Sequence, residues 1–114
     1  MSSQTLRAVL DRFELGDVDG VAERFADDGI YREARKAPTR GRAAIADEFA
    51  RFAASGVPFR FAVESVIEDG SRACVEYRFA VPGGEGGAWR ERAGCATVRL
   101  DERDQIAEWR EYEG

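Results

Sequence analysis

The sequence predicts an α+β fold in which three N-terminal helices pack on one face of a strongly curved, mainly antiparallel β-sheet. Apolar residues recur at helical spacing between residues 3 and 56, whereas residues 59–112 divide into four strand-length segments separated by turn sequences. The links between these strands are short enough for hairpins, which favours antiparallel pairing. A chain of 114 residues is long enough for one core, so we expect residues 1–114 to form a single domain.

The first helix is indicated by four apolar residues at the i, i+3, i+4 and i+7 positions, namely Leu6, Val9, Leu10 and Phe13. Ser3 is a suitable N-cap residue, because its hydroxyl can accept a hydrogen bond from a free backbone N–H. Gly16 is suited to the left-handed conformation in which many helices end. We therefore expect a helix that begins near residue 4 and ends near residue 15.

A second, short helix is expected directly after the first. Asp17 can cap it, and Val21 and Phe25 would form its apolar face. The polar residues 27–29 would end it, so that residues 30–32 begin a short extended segment. The sequence thus predicts that Phe25 is helical.

The third helix is predicted over residues 42–54, after a polar loop over residues 32–42 that contains Pro38. Its apolar side chains share one helix face, and they are Ile45, Phe49, Phe52 and Ala53. Four strands should follow, over residues 59–68, 72–82, 88–100 and 105–112. The turn sequences between them are EDGS, PGGEGG and DERD.

The last predicted strand carries the most informative pattern. Because strand side chains alternate between faces, Trp109 and Glu111 point to one side, and Ile106, Glu108 and Tyr112 point to the other. If Glu111 points inward, it lies in an apolar space beside an indole. Loss of hydration would then raise its pKa and make it a usable acid or base.

Composition excludes several classes of function. The net charge is −5, with 17 basic and 22 acidic residues, so we expect neither nucleic acid nor an anionic membrane as a partner. No apolar run approaches the roughly 20 residues of a membrane span, and the first residues lack the order of a signal peptide. We therefore expect a cytoplasmic protein.

The chain contains no histidine. This removes histidine as a general base, as a haem ligand and as a zinc ligand, so we expect no metal site and no cofactor. The glycine-rich turns do not lead from a strand into a helix, as a phosphate-binding loop requires. Proton transfer would depend on carboxylates, tyrosines or water.

Three motifs together resemble a known family. They are GDVDGVAERFADDGIYRE, then GRAAIADEFARF after a polar loop, and finally a strand set that closes on QIAEWREY. In this order they resemble the nuclear-transport-factor-2-like cone fold, of the SnoaL-like and limonene-epoxide-hydrolase-like kind, over essentially the whole chain. The resemblance implies a cone with an internal pocket. The fold hosts many chemistries and several binders, so it does not by itself define a function.

The resemblance to limonene epoxide hydrolase also implies roles for individual residues. Glu111 corresponds to the aspartate that takes a proton from the attacking water, and Tyr31 to a tyrosine that helps to position this water. Glu33 stands where that family has an asparagine, which also helps to position the water. Two neighbouring carboxylates repel each other unless one holds a proton, so Glu33 departs from the family pattern.

The same family uses an arginine followed two residues later by a proton-donating aspartate. Arg78 matches the arginine, but Ala80 stands where the acid should be, and Glu76 would replace it only in a shifted register. Strand alternation offers another interpretation, because the opposite face carries Val75, Tyr77 and Phe79 and is the more apolar one. Glu76 and Arg78 would then point outward as a solvated or interface pair.

Two functions follow as expectations. The first is an enzyme, a hydrolase, isomerase or cyclase, that acts on an apolar oxygenated metabolite. The alternative is a non-catalytic protein that binds a hydrophobic small molecule or serves dimer assembly. The resemblance and the apolar helix faces supply candidate pocket walls, which are Trp109, Phe13, Phe49, Phe52 and Phe61. A homodimer is expected, because helices cover only one face of the sheet.

Overall fold

The structure is a computed structural model, and it describes residues 3–113. Within this range the helices are α1 (Gln4–Leu15), α2 (Val18–Ala22) and α3 (Arg42–Ala54). The strands are β1 (Phe25–Arg32), β2 (Thr39–Arg40), β3 (Arg60–Asp69), β4 (Arg72–Pro82), β5 (Trp89–Leu100) and β6 (Ile106–Glu113), and a short 3₁₀ turn (Glu85–Gly87) lies between β4 and β5. The predicted α+β fold is confirmed.

Helix α1 begins and ends where the sequence predicts. The backbone N–H of Leu6 donates a hydrogen bond of 3.1 Å to Ser3 Oγ, and Gly16 adopts φ +79° at the C-terminal end. The four apolar residues of α1 are all buried, and Ile45 and Phe49 are the buried residues of α3. No helix within residues 3–113 is long and apolar enough to cross a membrane.

The structure corrects the prediction for the segment after α2. Helix α2 ends at Ala22, and Phe25 begins strand β1 instead of closing the apolar face of a helix. Phe25 is fully buried and pairs with Ile106 of β6. Pairing with a distant strand therefore outweighs the local helical spacing of Val21 and Phe25.

The six strands form one open, mixed sheet in the order β2-β1-β6-β5-β4-β3. All neighbours pair in antiparallel fashion except β1 and β6, which run parallel. This pairing brings Tyr31 of β1 directly beside Trp109 of β6. The first and last strands of the chain thus become neighbours in the middle of the sheet.

The helices cover one face of the sheet, and the main core lies between them. Trp109 is fully buried there and packs against Phe13 of α1, with ring centroids 5.3 Å apart. A register shift next to Leu100 turns Ile106 inward as well, where it is fully buried. The predicted strict alternation placed Ile106 on the face opposite Trp109. This prediction is wrong, because a β-bulge adds one residue to the strand and so changes the face to which the side chain beyond it points.

Candidate functional site

A cavity of about 120 Å³ opens on the inner face of the sheet, between α1, α3 and the strands. Its lining combines seven phenylalanine or valine side chains with five that carry a carboxylate or a tyrosine hydroxyl. The side chains that line it are Phe13, Val18, Tyr31, Glu33, Glu48, Phe49, Phe52, Phe59, Phe61, Tyr77, Phe79, Arg92 and Glu111. The sequence predicts Phe13, Phe49, Phe52 and Phe61 as walls, and all four line the cavity.

Glu111 lies at the polar end of this cavity, on β6. Its Oε2 accepts a hydrogen bond of 3.0 Å from Nε1–H of Trp109, two residues earlier on the same strand face. Tyr31 Oη–H donates to the same oxygen over a longer distance of 3.5 Å. Trp109 does not line the cavity itself, because it is buried behind Phe13 and Glu111. Its role in the site is to hold the carboxylate.

The environment raises the pKa of Glu111 from 4.5 to about 7. The main cause is loss of hydration, which penalises the charged carboxylate, and the negative charge of Glu33 adds to it. The Trp109 hydrogen bond, Arg92 and the Tyr31 hydroxyl act in the opposite direction because they stabilise the anion. A carboxyl group with such a pKa can both take up and release a proton near neutral pH.

Tyr31 stands beside Glu111 in the way the sequence resemblance implies. Its ring is buried and meets Phe49 of α3 edge to face, with centroids 4.9 Å apart. Burial raises its pKa well above 10, and the charge of Glu111 raises it further. Tyr31 is therefore a neutral hydrogen-bond donor throughout the physiological pH range.

Charged groups surround the cavity mouth. Glu33 forms an ion pair of 3.2 Å with Lys36, and Glu48 accepts a 3.0 Å hydrogen bond from Thr39. Arg92 of β5 pairs with Glu113 at the end of β6. The ion pair with Lys36 holds the side chain of Glu33 at the rim of the cavity. Glu33 therefore lines the cavity, as expected, but does not contact Glu111 directly.

Tyr77 of β4 is a cavity residue that the sequence did not propose as functional. It is 5% exposed and lines the same cavity as Glu111. The signal was present in the alternation of β4, which had identified the face of Val75, Tyr77 and Phe79 as the core face. Arg92, Glu48, Phe59 and Phe79 likewise line the cavity without having been singled out for it.

Glu76 and Arg78 do not belong to this site, so their expected part in catalysis is wrong and the alternative, that they point outward, is right. Both lie on the outer face of the sheet, opposite the face of Tyr77. Arg78 is 49% exposed and pairs with Glu64 at 3.2 Å and with Glu91 at 3.0 Å, while Glu76 accepts a 2.5 Å hydrogen bond from Ser65. The alternation of side chains along the strand predicts this outward orientation, whereas the family's arginine–acid spacing does not.

The described part of the chain offers proton-transfer groups and few other reactive ones. Among residues 3–113, no three histidine, cysteine, aspartate or glutamate side chains come together as a group that could hold a metal ion. The cavity combines one carboxyl group that titrates near pH 7 with two tyrosine hydroxyls and apolar walls. This arrangement can bind a small apolar molecule and exchange a proton with it.

Fold and cavity together define a protein with the nuclear-transport-factor-2-like fold and a largely buried carboxyl group, that of Glu111, in its cavity. The family model described as a SnoaL-like domain matches residues 6–109 of the chain. The chain therefore belongs to the SnoaL-like domain family, as the sequence resemblance predicted. No curated protein matches it at a significant level of sequence similarity.

Solved structures with the same fold include proteins of different description. A nuclear-transport-factor-2-like protein of unknown function from Burkholderia pseudomallei K96243 is 19% identical, with a TM-score of 0.81 and coverage of 100% of this chain and 92% of the other. An LEH-like epoxide hydrolase from M. tuberculosis is 23% identical (TM-score 0.79; 98% and 81% covered). A candidate polyketide cyclase from Xanthomonas campestris pv. campestris is 21% identical (TM-score 0.75; 96% and 87% covered). At these identities the likeness establishes the fold.

Proposed function

We propose that the protein is an enzyme that moves a proton on a small, apolar, oxygen-containing molecule, with Glu111 as the acid–base group. The observation that carries this proposal is the buried carboxyl of Glu111, whose pKa of about 7 matches the optimum for a general base or acid at neutral pH. A purely structural carboxylate would be expected at the surface or in an ion pair. The descriptions of two neighbours in fold, an LEH-like epoxide hydrolase and a candidate polyketide cyclase, name enzymes, which supports a catalytic function.

The other cavity groups have matching roles in this proposal. Tyr31 and Trp109 hold the carboxylate oxygen, which fixes the direction from which the substrate must approach. The phenylalanines supply an apolar surface and keep bulk water away from Glu111. The arginine–aspartate pair of limonene epoxide hydrolase has no counterpart on the inner face of β4, where Tyr77 and Phe79 stand.

The proposal predicts that Glu111 titrates with a midpoint near pH 7. Chain labelled with ¹³C in the glutamate side chains is titrated by NMR, and the Glu111 carboxyl resonance is assigned by its absence in Glu111→Gln. Burial is the main cause of the shift, so the midpoint is expected more than two units above the ordinary glutamate value. A midpoint below pH 5 would show that Glu111 is hydrated and would remove the basis of the proposal.

A second candidate, a binding protein without turnover, is favoured by the inner face of β4, where Tyr77 and Phe79 line the cavity and no charged residue of this strand does. The cavity of about 120 Å³ is below the roughly 300–1,000 Å³ of most ligand sites, so the ligand must be small for either function. A thermal-shift screen with small epoxides, ketones and phenols separates the two functions when each hit is also tested for chemical conversion. Hits that bind equally well to wild type and to Glu111→Gln, and that are never converted, would favour the binding protein.

We also propose that the uncovered face of the sheet forms a homodimer. A groove of about 480 Å³ crosses this face and is lined by Ile67, Cys74 and Thr97, and Ile67 is 65% exposed. Tyr112 is 39% exposed and lines the same groove, so two large side chains with apolar surface stand together with charged ones on this face, a composition that an interaction surface can have. A twofold axis through the face would cover it with the same groove of a second copy.

The dimer predicts a large effect of a charge at the exposed isoleucine. Ile67→Asp is expected to shift the protein from dimer to monomer in sedimentation equilibrium, because the aspartate would lose its hydration in the interface. Leu15→Asp is the matched control, since Leu15 is 75% exposed but belongs to α1 on the helical side. Wild type that sediments as a monomer at micromolar concentration would disprove this assembly.

A further inference from the structure

A cleft of about 430 Å³ lies where strands β1 and β6 end, beside the loop over residues 33–38. We call it the basic cleft, because Arg32, Arg35, Lys36 and Arg110 line it. We propose that the basic cleft binds the phosphate group of a small phosphomonoester, held between the guanidinium groups of Arg32 and Arg110. This second site goes beyond the acid–base role of Glu111 and does not depend on it.

Strand pairing places the two central arginines side by side. Arg32 of β1 and Arg110 of β6 are direct partners in the parallel pair. The residues before them, Tyr31 and Trp109, are buried on the inner face, so both arginines point to the uncovered face of the sheet. Like charges that face each other on neighbouring strands repel. An anion bound between the two guanidinium groups would remove this repulsion.

Neither arginine has a counter-charge in the described part of the chain. Among residues 3–113, no carboxylate lies within 4.0 Å of the guanidinium nitrogens of Arg32 or Arg110. The Nε–H of Arg32 is fully enclosed and has no hydrogen-bond acceptor there. This group has lost hydration without gaining a partner, which costs free energy and strengthens the attraction of the guanidinium for an anion.

The carboxylates near the basic cleft have other partners. Glu33 forms its ion pair of 3.2 Å with Lys36, and Glu113 pairs with Arg92 on the inner side of the sheet. Glu111 directs its carboxyl group into the cavity, where an indole N–H donates to it over 3.0 Å. The positive charge of the arginine pair is therefore left for a ligand.

The orientation of Arg110 suits a phosphate. Its guanidinium carbon lies 4.9 Å from the centre of the Tyr112 ring, and stacking of this kind fixes the guanidinium plane while the N–H groups at its edge stay free. Together with Arg32 it offers two positive charges and several N–H donors. A phosphate monoester carries about −1.5 to −2 charges near pH 7 and three acceptor oxygens, whereas a carboxylate carries one charge. The arginine pair thus matches a phosphate better than a carboxylate.

A third arginine reaches the basic cleft through an unusual backbone conformation. Arg35 has φ +65°, in the left-handed region that disfavours residues other than glycine. The turn around it is closed by a 3.2 Å hydrogen bond from the Lys36 N–H to the Glu33 carbonyl oxygen. Its side chain lies 3.8 Å from Glu113, at the outer limit of an ion pair. Local strain of this kind is typical of binding loops, and here it places one more cation beside the arginine pair.

The size of the basic cleft indicates that the phosphate belongs to a larger molecule. Its volume is within the roughly 300–1,000 Å³ of most ligand sites and exceeds the space of a single phosphate. Pro38 and the ring of Tyr112 add apolar surface next to the charges. The cleft is also separate from the groove around Ile67, because β5 and β4 lie between β6 and the strand of Ile67, β3.

Isothermal titration calorimetry at pH 7.5 and constant ionic strength tests the ligand class with three probes. Phenyl phosphate should bind wild type with a dissociation constant of about 1 mM or lower, since two charge-assisted contacts can supply this affinity. Benzoate, with the same ring and a single charge, should bind at least about tenfold more weakly. Inorganic phosphate that binds as tightly as phenyl phosphate would identify the free ion as the ligand of the same site. Benzoate that binds as tightly as phenyl phosphate would overturn the assignment to phosphate.

Three substitutions test the location of the site. Arg32→Gln and Arg110→Gln should each weaken phenyl phosphate binding about tenfold to a hundredfold, because each removes a charged hydrogen-bond donor. Arg78→Gln is the matched control: it removes the same charge from the same face of the sheet, where Arg78 pairs with carboxylates of its own, and should bind like wild type. Unfolding in urea checks that each variant is folded.

Arg35→Gly separates ligand binding from stability. Glycine adopts a positive φ without strain, so this variant should unfold at a higher urea concentration than wild type while it binds phenyl phosphate more weakly. Unchanged binding in Arg32→Gln and Arg110→Gln, an equal loss in Arg78→Gln, or no saturation of wild type below about 10 mM phenyl phosphate would overturn the inference. All of these measurements report binding and not turnover, so their failure leaves the proposed role of Glu111 as it is.

Discussion

Replacing Glu111 with glutamine is expected to abolish turnover, with a loss of at least about a hundredfold in kcat, while the protein stays folded. Glutamine has nearly the volume of glutamate and can still accept the hydrogen bond from Trp109 Nε1–H, but it cannot exchange a proton at neutral pH. The measurement is the rate of conversion of any substrate found in the ligand screen. Activity close to wild type would rule out Glu111 as the acid–base group.

The same substitution should change how stability depends on pH. The folded pKa of Glu111 lies at about 7, above its ordinary value of 4.5, so between these values the folded state binds more protons than the unfolded state. The neutral acid of Glu111 therefore adds roughly 3 kcal/mol to the free energy of unfolding. This contribution is fully present below pH 4.5 and is lost as the pH rises through 7. The charged and titratable groups around the carboxyl are Tyr31, Glu33, Tyr77 and Arg92.

Urea unfolding at pH 5 and at pH 8 measures this effect. Wild type should lose stability between the two pH values through Glu111, whereas Glu111→Gln should lose less and should be the more stable of the two at pH 8. Arg78→Gln serves as a control because Arg78 pairs on the outer face, away from the cavity. An equal loss in wild type and Glu111→Gln would show that the carboxyl is not buried in its charged form.

Most of the fold could be predicted because its local signals agree with its tertiary contacts. The apolar spacing of α1, its Ser3 cap and Gly16 are local features, and the structure uses all of them. Phe25 is the exception. Its spacing from Val21 fits a helix, but pairing with β6, more than 75 residues later in the chain, makes it the first residue of a strand. No local pattern contains that information.

The site could be predicted only in part, for reasons that lie in strand geometry. Alternation along the last strand correctly joined Trp109 and Glu111, since no bulge interrupts β6 between them. It failed at Ile106, where a bulge resets the phase. On β4 the alternation was right and the family spacing was misleading, so Arg78 was proposed for the cavity although Tyr77 occupies it.

The largest effect on stability is expected from Trp109. Trp109→Ala should lower the free energy of unfolding by about 3–5 kcal/mol, because the indole is fully buried at the centre of the core and its removal leaves a cavity behind Phe13. Urea unfolding at pH 5 measures the loss. A change below about 1 kcal/mol would mean that the core collapses around the missing ring or that the indole is not enclosed.

Trp109→Phe separates packing from hydrogen bonding at the same position. Phenylalanine keeps most of the apolar contact with Phe13 but has no N–H group, so Glu111 Oε2 loses its 3.0 Å donor. This donor stabilises the carboxylate, and its removal should therefore raise the pKa of Glu111 above its value of about 7. In the ¹³C titration the midpoint should move to higher pH in Trp109→Phe, whereas Phe13→Leu, which also thins the core, should leave the donor in place. If the Glu111 midpoint moves equally in both variants, the shift comes from packing and not from the lost hydrogen bond. If the midpoint falls in Trp109→Phe, water has replaced the indole and hydrates the carboxylate.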